Sequence, residues 1–119
     1  VPVIAPIGSN KRGITYNINA DITAGFISHK INARRLLMLT DVKGVVDKNN
    51  ELINELKLKD IKTLISNNVI YGGMIPKVNT CIEAVKKGVR ASVIIDGKVK
   101  NALLKELFSS KGVGTLFRK

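Results

Sequence analysis

The chain has no tryptophan, one cysteine, one histidine, three prolines and only 4% aromatic residues among its 119 positions. Each scarcity removes a class of function. A lone thiol, Cys81, rules out both a disulfide framework and a cysteine metal site. It falls on the apolar side of a predicted helix, so it reads as a buried structural thiol, consistent with a reducing compartment. His29 stands inside a predicted helix with no partner carboxylate or serine at useful spacing and reads as a surface or packing residue. A Ser/His/Asp triad has no support, and a zinc site has no ligands. Sparse aromatics exclude the base-stacking platforms of single-strand nucleic-acid binders. No apolar run approaches the ~18 residues of a membrane helix, and the first residues lack the charged, then apolar, then small pattern of a signal peptide. Neither a Walker A loop nor a protein-kinase signature is present. An initiator methionine is also missing, from which a further segment ahead of Val1 is expected.

Positive charge is abundant: 20 Lys and Arg oppose 9 Asp and Glu, for a net +11. A polyanionic partner is one reading. The other is compositional, since Lys, Asn and Ile are all frequent, as in an AT-rich genome. The basic residues are scattered, with Lys57, Lys59 and Lys62, then Lys86 and Lys87, then Lys98 and Lys100, which favours the compositional reading. A hydrophobic content of 45% predicts a folded core. The length suits one domain or one lobe of a larger enzyme.

Residues 1–7 read as a buried strand leading into a loop over 8–13, with a second short strand at 14–16. Asn19 is placed to cap a helix running to about Asn32, with Asp21 in its first turn and Ile22, Phe26, Ile27 and Ile31 as its apolar side. Residues 35–40 form an apolar strand, and 41–44 turn at its end. Val45 and Val46 start a hairpin returning at 52–55, and a helix follows over 58–66. Residues 74–87 form the next helix, with Ile75, Val78, Ile82 and Val85 as a stripe, Pro76 in the first turn and Gly88 at the end. A strand at 91–95, a short helix at 101–108 and a strand at 114–118 complete the order. This alternation predicts an α/β fold, a three-layer αβα sandwich with a mainly parallel sheet.

Ligands in such sheets bind beyond the C-terminal ends of the strands. Residues 16–21, 40–44 and 72–77 fall there. Two of these segments lead into helix N-termini, which favour anions. Glycines let backbone N–H groups approach phosphate oxygens, and Lys77 adds a point charge one turn into its helix. Taken singly, each segment also reads as a helix cap, a turn or a plain loop.

Together they resemble a known family. Tyr-Asn-Ile-Asn-Ala-Asp at 16–21, Leu-Thr-Asp-Val-Lys-Gly at 39–44 and Gly-Gly-Met-Ile-Pro-Lys at 72–77 are similar, in order and spacing, to the motifs of acetylglutamate kinases, within the amino-acid kinase superfamily. Glu106-Leu107-Phe108 and Gly112-Val113-Gly114-Thr115 resemble that family's C-terminus. The resemblance spans essentially the whole chain. It implies the C-terminal, ATP-binding lobe of an enzyme about twice as long, with the N-terminal substrate lobe outside this chain.

The implied activity is ATP-dependent phosphorylation of the side-chain carboxylate of N-acetyl-L-glutamate, in arginine biosynthesis, with Mg²⁺ carried by ATP. The implied catalytic residues are Asp21 and Lys77, and the substrate-binding residues Asn17 and Asn19. The implied nucleotide contacts are Thr40, Asp41, Val42, Lys43, Gly44 and Val45, with Val69, Ile70, Tyr71, Gly72 and Gly73. Arginine as an inhibitor is implied over residues 102–114, with Glu106, Gly112 and Gly114 as candidates, although Asn101 stands where the family commonly has histidine. No resident protein-held metal, nucleic acid or membrane is implied. The PII signalling protein and a homo-oligomer are implied partners of the full enzyme, in the cytoplasm or the plastid stroma. The alternatives are another carboxylate or carbamate kinase of the superfamily, a non-catalytic nucleotide or effector module, and, on charge alone, a nucleic-acid-binding domain.

Overall fold

The computed structural model describes residues 1–110 and 112–119. A four-stranded sheet organises the chain, in the order β3 (Arg35–Thr40), β5 (Ala91–Asp96), β6 (Thr115–Arg118), β4 (Glu55–Lys57). β3 pairs β5 in parallel and β4 pairs β6 in parallel, whereas β5 and β6 are antiparallel. The sheet is therefore mostly parallel, as expected.

Alternation along β5 divides the core in two. Ile94 faces α3 (Met74–Lys86) and α2 (Ile61–Ser66), joining Leu36, Met38, Val78, Cys81, Val85 and Phe117 in the larger cluster. Val93 and Ile95 point to the other face, where Ala102 of α4 (Ala102–Phe108) covers them with Val113 and Leu116. Helices on both faces make the sandwich. α3 presents Val78, Cys81, Ala84 and Val85 as its buried stripe, with Ile75 and Ile82 at its margin. Cys81 is buried against Met38, its Sγ 3.3 Å from Sδ, so the thiol is structural.

α1 (Ala20–Lys30) begins as expected: Asn19 Oδ1 accepts the Ile22 N–H at 3.1 Å. Its orientation corrects the expectation. Ile22, Phe26 and Ile31 are exposed, and the buried face is Gly25 and Ser28. The helix meets α3 through its smallest residues, because close backbone approach outweighs apolar periodicity here. Ile27, the remaining residue of the expected stripe, is only partly exposed.

Residues 1–6 are not a buried strand; Val1, Val3 and Ile4 are exposed, and strand structure starts at β1 (Ile7–Ser9). Pro2 and Pro6 supply no N–H to a ladder, which explains the delay. β1 pairs antiparallel with β2 (Thr15–Asn17), as a small hairpin apart from the main sheet. The hairpin expected after Val45 reduces to one antiparallel bridge, Val46 to Leu52. The chain beyond Leu52 leaves it to become β4, whose parallel partner β6 lies some sixty residues on and was invisible to local patterning.

Candidate functional site

Parallel pairing in register brings Thr40 and Asp96 side by side at the C-terminal ends of β3 and β5. The Gly97 N–H donates to the Thr40 carbonyl at 2.8 Å and ties the two strand ends together. A cavity of about 670 Å³ opens there, within the range of small-molecule sites. Residues 40–46 form one wall, Val69 and residues 71–74 the other, and Lys77 and Asp96 also line it.

The first wall is held by a contact with β6. Gly44 has φ +140°, and a Cβ added there would lie 2.6 Å from Thr115 Oγ1 and 2.9 Å from Leu52 Cδ1. Its missing side chain lets Thr115 Oγ1 accept the Val45 N–H at 2.9 Å, which fixes the turn against the sheet. The second wall leads into α3. Gly72 adopts φ +54°, open to glycine without strain. Met74 and Ile75 donate their N–H groups to the carbonyls of Tyr71 and Gly72, each at 3.2 Å. Pro76, having no N–H, leaves no donor to satisfy. The positive end of the α3 dipole therefore sits at the cavity.

Lys77 carries the charge at that end. Its Nζ lies 2.8 Å from Asp21 Oδ2, with the two side chains only 26% and 28% exposed. Asp21 comes from the first turn of α1, so the ion pair joins the N-terminal ends of two helices. Its influence reaches Cys81, one turn along α3. Burial pushes that thiol up to about 12, the Asp21 charge adds to the shift, and the Lys77 charge opposes it.

Most residues singled out from the sequence meet at this cavity: Thr40, Asp41, Val42, Lys43, Gly44, Val45, Val69, Tyr71, Gly72, Gly73 and Lys77 line it, and Asp21 pairs with Lys77. Ile70 does not; it is buried in the larger core cluster and holds its neighbours in place. Asn17 lies on exposed β2, Asn19 caps α1, and neither lines the cavity. Asp96, Val46 and Asn50 line it without having been singled out, and so does Met74, which was marked only as part of the 72–77 segment. For Asp96 a signal existed, since it directly follows the C-terminal end of the strand predicted over 91–95.

Glu106, Gly112 and Gly114 lie elsewhere. The buried Glu106 carboxylate accepts the Val113 N–H at 2.9 Å and stands 3.8 Å from the Arg35 guanidinium, at the start of β3. Gly112 abuts that carboxylate, and Gly114 packs against the Ile94 carbonyl. Position 111 of the 102–114 stretch lies outside the described residues. Among the described residues no cluster of three His, Cys, Asp or Glu side chains is placed to hold a metal, and no helix is long and apolar enough to cross a membrane.

Comparison with known proteins follows the same lines. The profile of the amino acid kinase family matches residues 1–96. The chain is 52% identical over all 119 residues to an acetylglutamate kinase of Bradyrhizobium sp. strain BTAi1, covering 40% of that protein. It is 55% identical over 118 residues, 99% of its length, to the acetylglutamate kinase of Rhodospirillum rubrum, covering 38% of it. The chain thus spans about 40% of the length of these curated relatives. In three dimensions it resembles the N-acetylglutamate synthase of Neisseria gonorrhoeae, solved with coenzyme A and L-arginine. That likeness has a TM-score of 0.89 at 24% identity, over 96% of this chain and 26% of the synthase. It also resembles the carbamate kinase of Giardia lamblia bound to AMP-PNP, with a TM-score of 0.70 at 22% identity, over 92% of this chain and 36% of the kinase. At these identities the two structures speak for the fold.

Proposed function

The chain belongs to the amino acid kinase family, and we propose on that premise that it is the ATP-binding lobe of an acetylglutamate kinase. The activity is transfer of the γ-phosphoryl group of ATP to the side-chain carboxylate of N-acetyl-L-glutamate, a cytoplasmic or plastid step of arginine biosynthesis. The observation that carries the reading is the cavity at the ends of β3 and β5, lined in part by Lys77, which is ion-paired with Asp21.

The division of labour follows from the chemistry. The acceptor is a carboxylate, a nucleophile at neutral pH, so no general base is needed and alignment with charge neutralisation suffices. Residues 40–45, with Val69 and residues 71–73, hold the adenosine between their walls. The α3 N-terminus and its glycines receive the phosphates. Lys77 offsets the charge that develops on the transferring group, and Asp21 holds the lysine in place. Mg²⁺ is held mainly by substrate phosphates and water in such sites, so it belongs here to the nucleotide. Asn17 and Asn19, just ahead of α1, are on this reading the contacts to the acceptor. The acceptor's main grip and the remaining catalytic groups come from a further N-terminal lobe, as the 40% span of the relatives suggests.

Glu106, Gly112 and Gly114 serve on this reading as the place of an arginine effector in the assembled enzyme. Support comes from the buried Glu106 carboxylate, which already faces a guanidinium, that of Arg35. The PII protein and self-association are proposed partners of the same assembly.

The test is ADP release by the complete reading frame that contains these residues. It should depend on N-acetyl-L-glutamate and be absent with carbamate or free glutamate; turnover of carbamate instead would assign a different member of the family. The 119-residue chain alone should bind ATP without turning it over, and acetylglutamate-dependent turnover by it would overturn the two-lobe reading.

A further inference from the structure

The helices that carry Asp21 and Lys77 lie side by side and run in the same direction. Asp21 meets Lys77 at their N-terminal ends, 2.8 Å apart, and His29 Nδ1 lies 2.7 Å from the Lys87 carbonyl at the other. Gly25 faces Thr80 between these two contacts. A Cβ on Gly25 would lie 2.6 Å from Thr80 Cγ2, far inside the ~3.5 Å at which two carbons attract best. The Thr80 methyl is not free to swing aside. Its Oγ1 donates to the Pro76 carbonyl at 3.0 Å, and threonine keeps such a bond only in a restricted set of χ1 rotamers. Ser28, on the same face of α1, turns its hydroxyl back to the Gly25 carbonyl at 2.8 Å and adds no bulk toward α3.

We propose that Gly25 is a positioning residue for the Asp21–Lys77 pair, matched to Thr80 across the helix crossing. Gly25 stands one turn along α1 from Asp21, and Thr80 nearly one turn along α3 from Lys77. The missing side chain sets the separation of the two helices at that level, and thereby the distance between carboxylate and ammonium one turn away. Any side chain at 25 must push the helices apart or force Thr80 to surrender its bond to Pro76. The functional half of this inference rests on the kinase reading above; the geometric half does not.

The experiment compares Gly25→Ala, Thr80→Ser and the double variant in the complete polypeptide, by crystal structure and by steady-state kinetics. Gly25→Ala should lengthen the Asp21–Lys77 contact from 2.8 Å to beyond the ~4 Å limit of an ion pair. kcat should fall toward the ~100-fold loss that an ångström of misplacement brings, while the KM for ATP holds. Removing the opposing methyl with Thr80→Ser in the Gly25→Ala background should restore both the contact and most of kcat. A Gly25→Ala protein that keeps the contact and its kcat overturns the proposal, as does a folded double variant that recovers neither. If Gly25→Ala alone fails to fold, the double variant decides: folded with the short contact it supports the proposal, and otherwise it refutes it. Absence of acetylglutamate-dependent turnover in the unsubstituted polypeptide would sink the kinase reading instead, and the contact distances would still decide the role of Gly25.

Discussion

Replacing Lys77 by alanine should weaken binding of the 119-residue chain to nucleotides in proportion to their phosphates. The side chain is about three-quarters buried at the N-terminal end of α3, so water screens it only partly. A charge-assisted hydrogen bond to a phosphate in such a setting contributes about 1.5–3 kcal/mol, which is roughly a 10- to 100-fold change in affinity. The upper end is expected, because Lys77→Ala also leaves the Asp21 carboxylate unpaired beside the phosphates. Adding Asp21→Asn should therefore recover part of the loss. Calorimetric titration with adenosine, AMP, ADP and ATP checks this directly. Adenosine affinity should stay within about twofold, since on the proposed reading residues 40–45, Val69 and residues 71–73 make its contacts, and ATP affinity should fall by the larger factor. Equal losses for adenosine and ATP would mean that Lys77 supports the cavity rather than meeting phosphate.

Two further outcomes follow from the same geometry. Gly44→Ala combines a backbone held at φ +140° with a Cβ driven into Thr115 and Leu52. It should cost roughly 3 kcal/mol of stability, read as a lower urea midpoint, and should weaken ATP binding together with it. Cys81 carries a folded-state pKa raised from 9.0 to about 12. Above pH 9.0 the unfolded chain releases a proton that the folded chain retains, so that contribution to stability is complete below pH 9.0 and is lost as the pH rises toward 12. Urea unfolding should show the wild type losing stability relative to Cys81→Ala as the pH climbs past 9.0, and parallel curves would contradict it.

The strands of the main sheet that carry local apolar runs, β3 and β5, were legible in the sequence nearly to the residue, and so were the Asn19 cap and the extent of α3. Helix rotation was harder. Ile22, Phe26 and Ile31 look like a core stripe, yet α1 buries Gly25 and Ser28 instead. Periodicity reports where bulk lies, and a close helix crossing selects for its absence. β4 was missed because three residues pair with a strand far along the chain, and local pattern carries no such information. The motif segments 40–44 and 72–77 both contribute walls to one cavity. Motif spacing could not say that Ile70 turns into the core while its neighbours face the cavity, because that alternation depends on how the loop sits on α2. Asp96 shows the reverse case, a pocket residue that the strand-end rule already points to.

On the proposed reading this cavity binds ATP with its phosphates at the α3 N-terminus. A crystal structure of the chain with a non-hydrolysable ATP analogue tests it most directly. The adenine should lie between the wall of residues 40–46 and that of Val69 and Tyr71, with a β- or γ-phosphate oxygen within about 3 Å of Lys77 Nζ. A nucleotide bound elsewhere, or one in this cavity with its phosphates pointing away from Lys77, would rule this binding mode out.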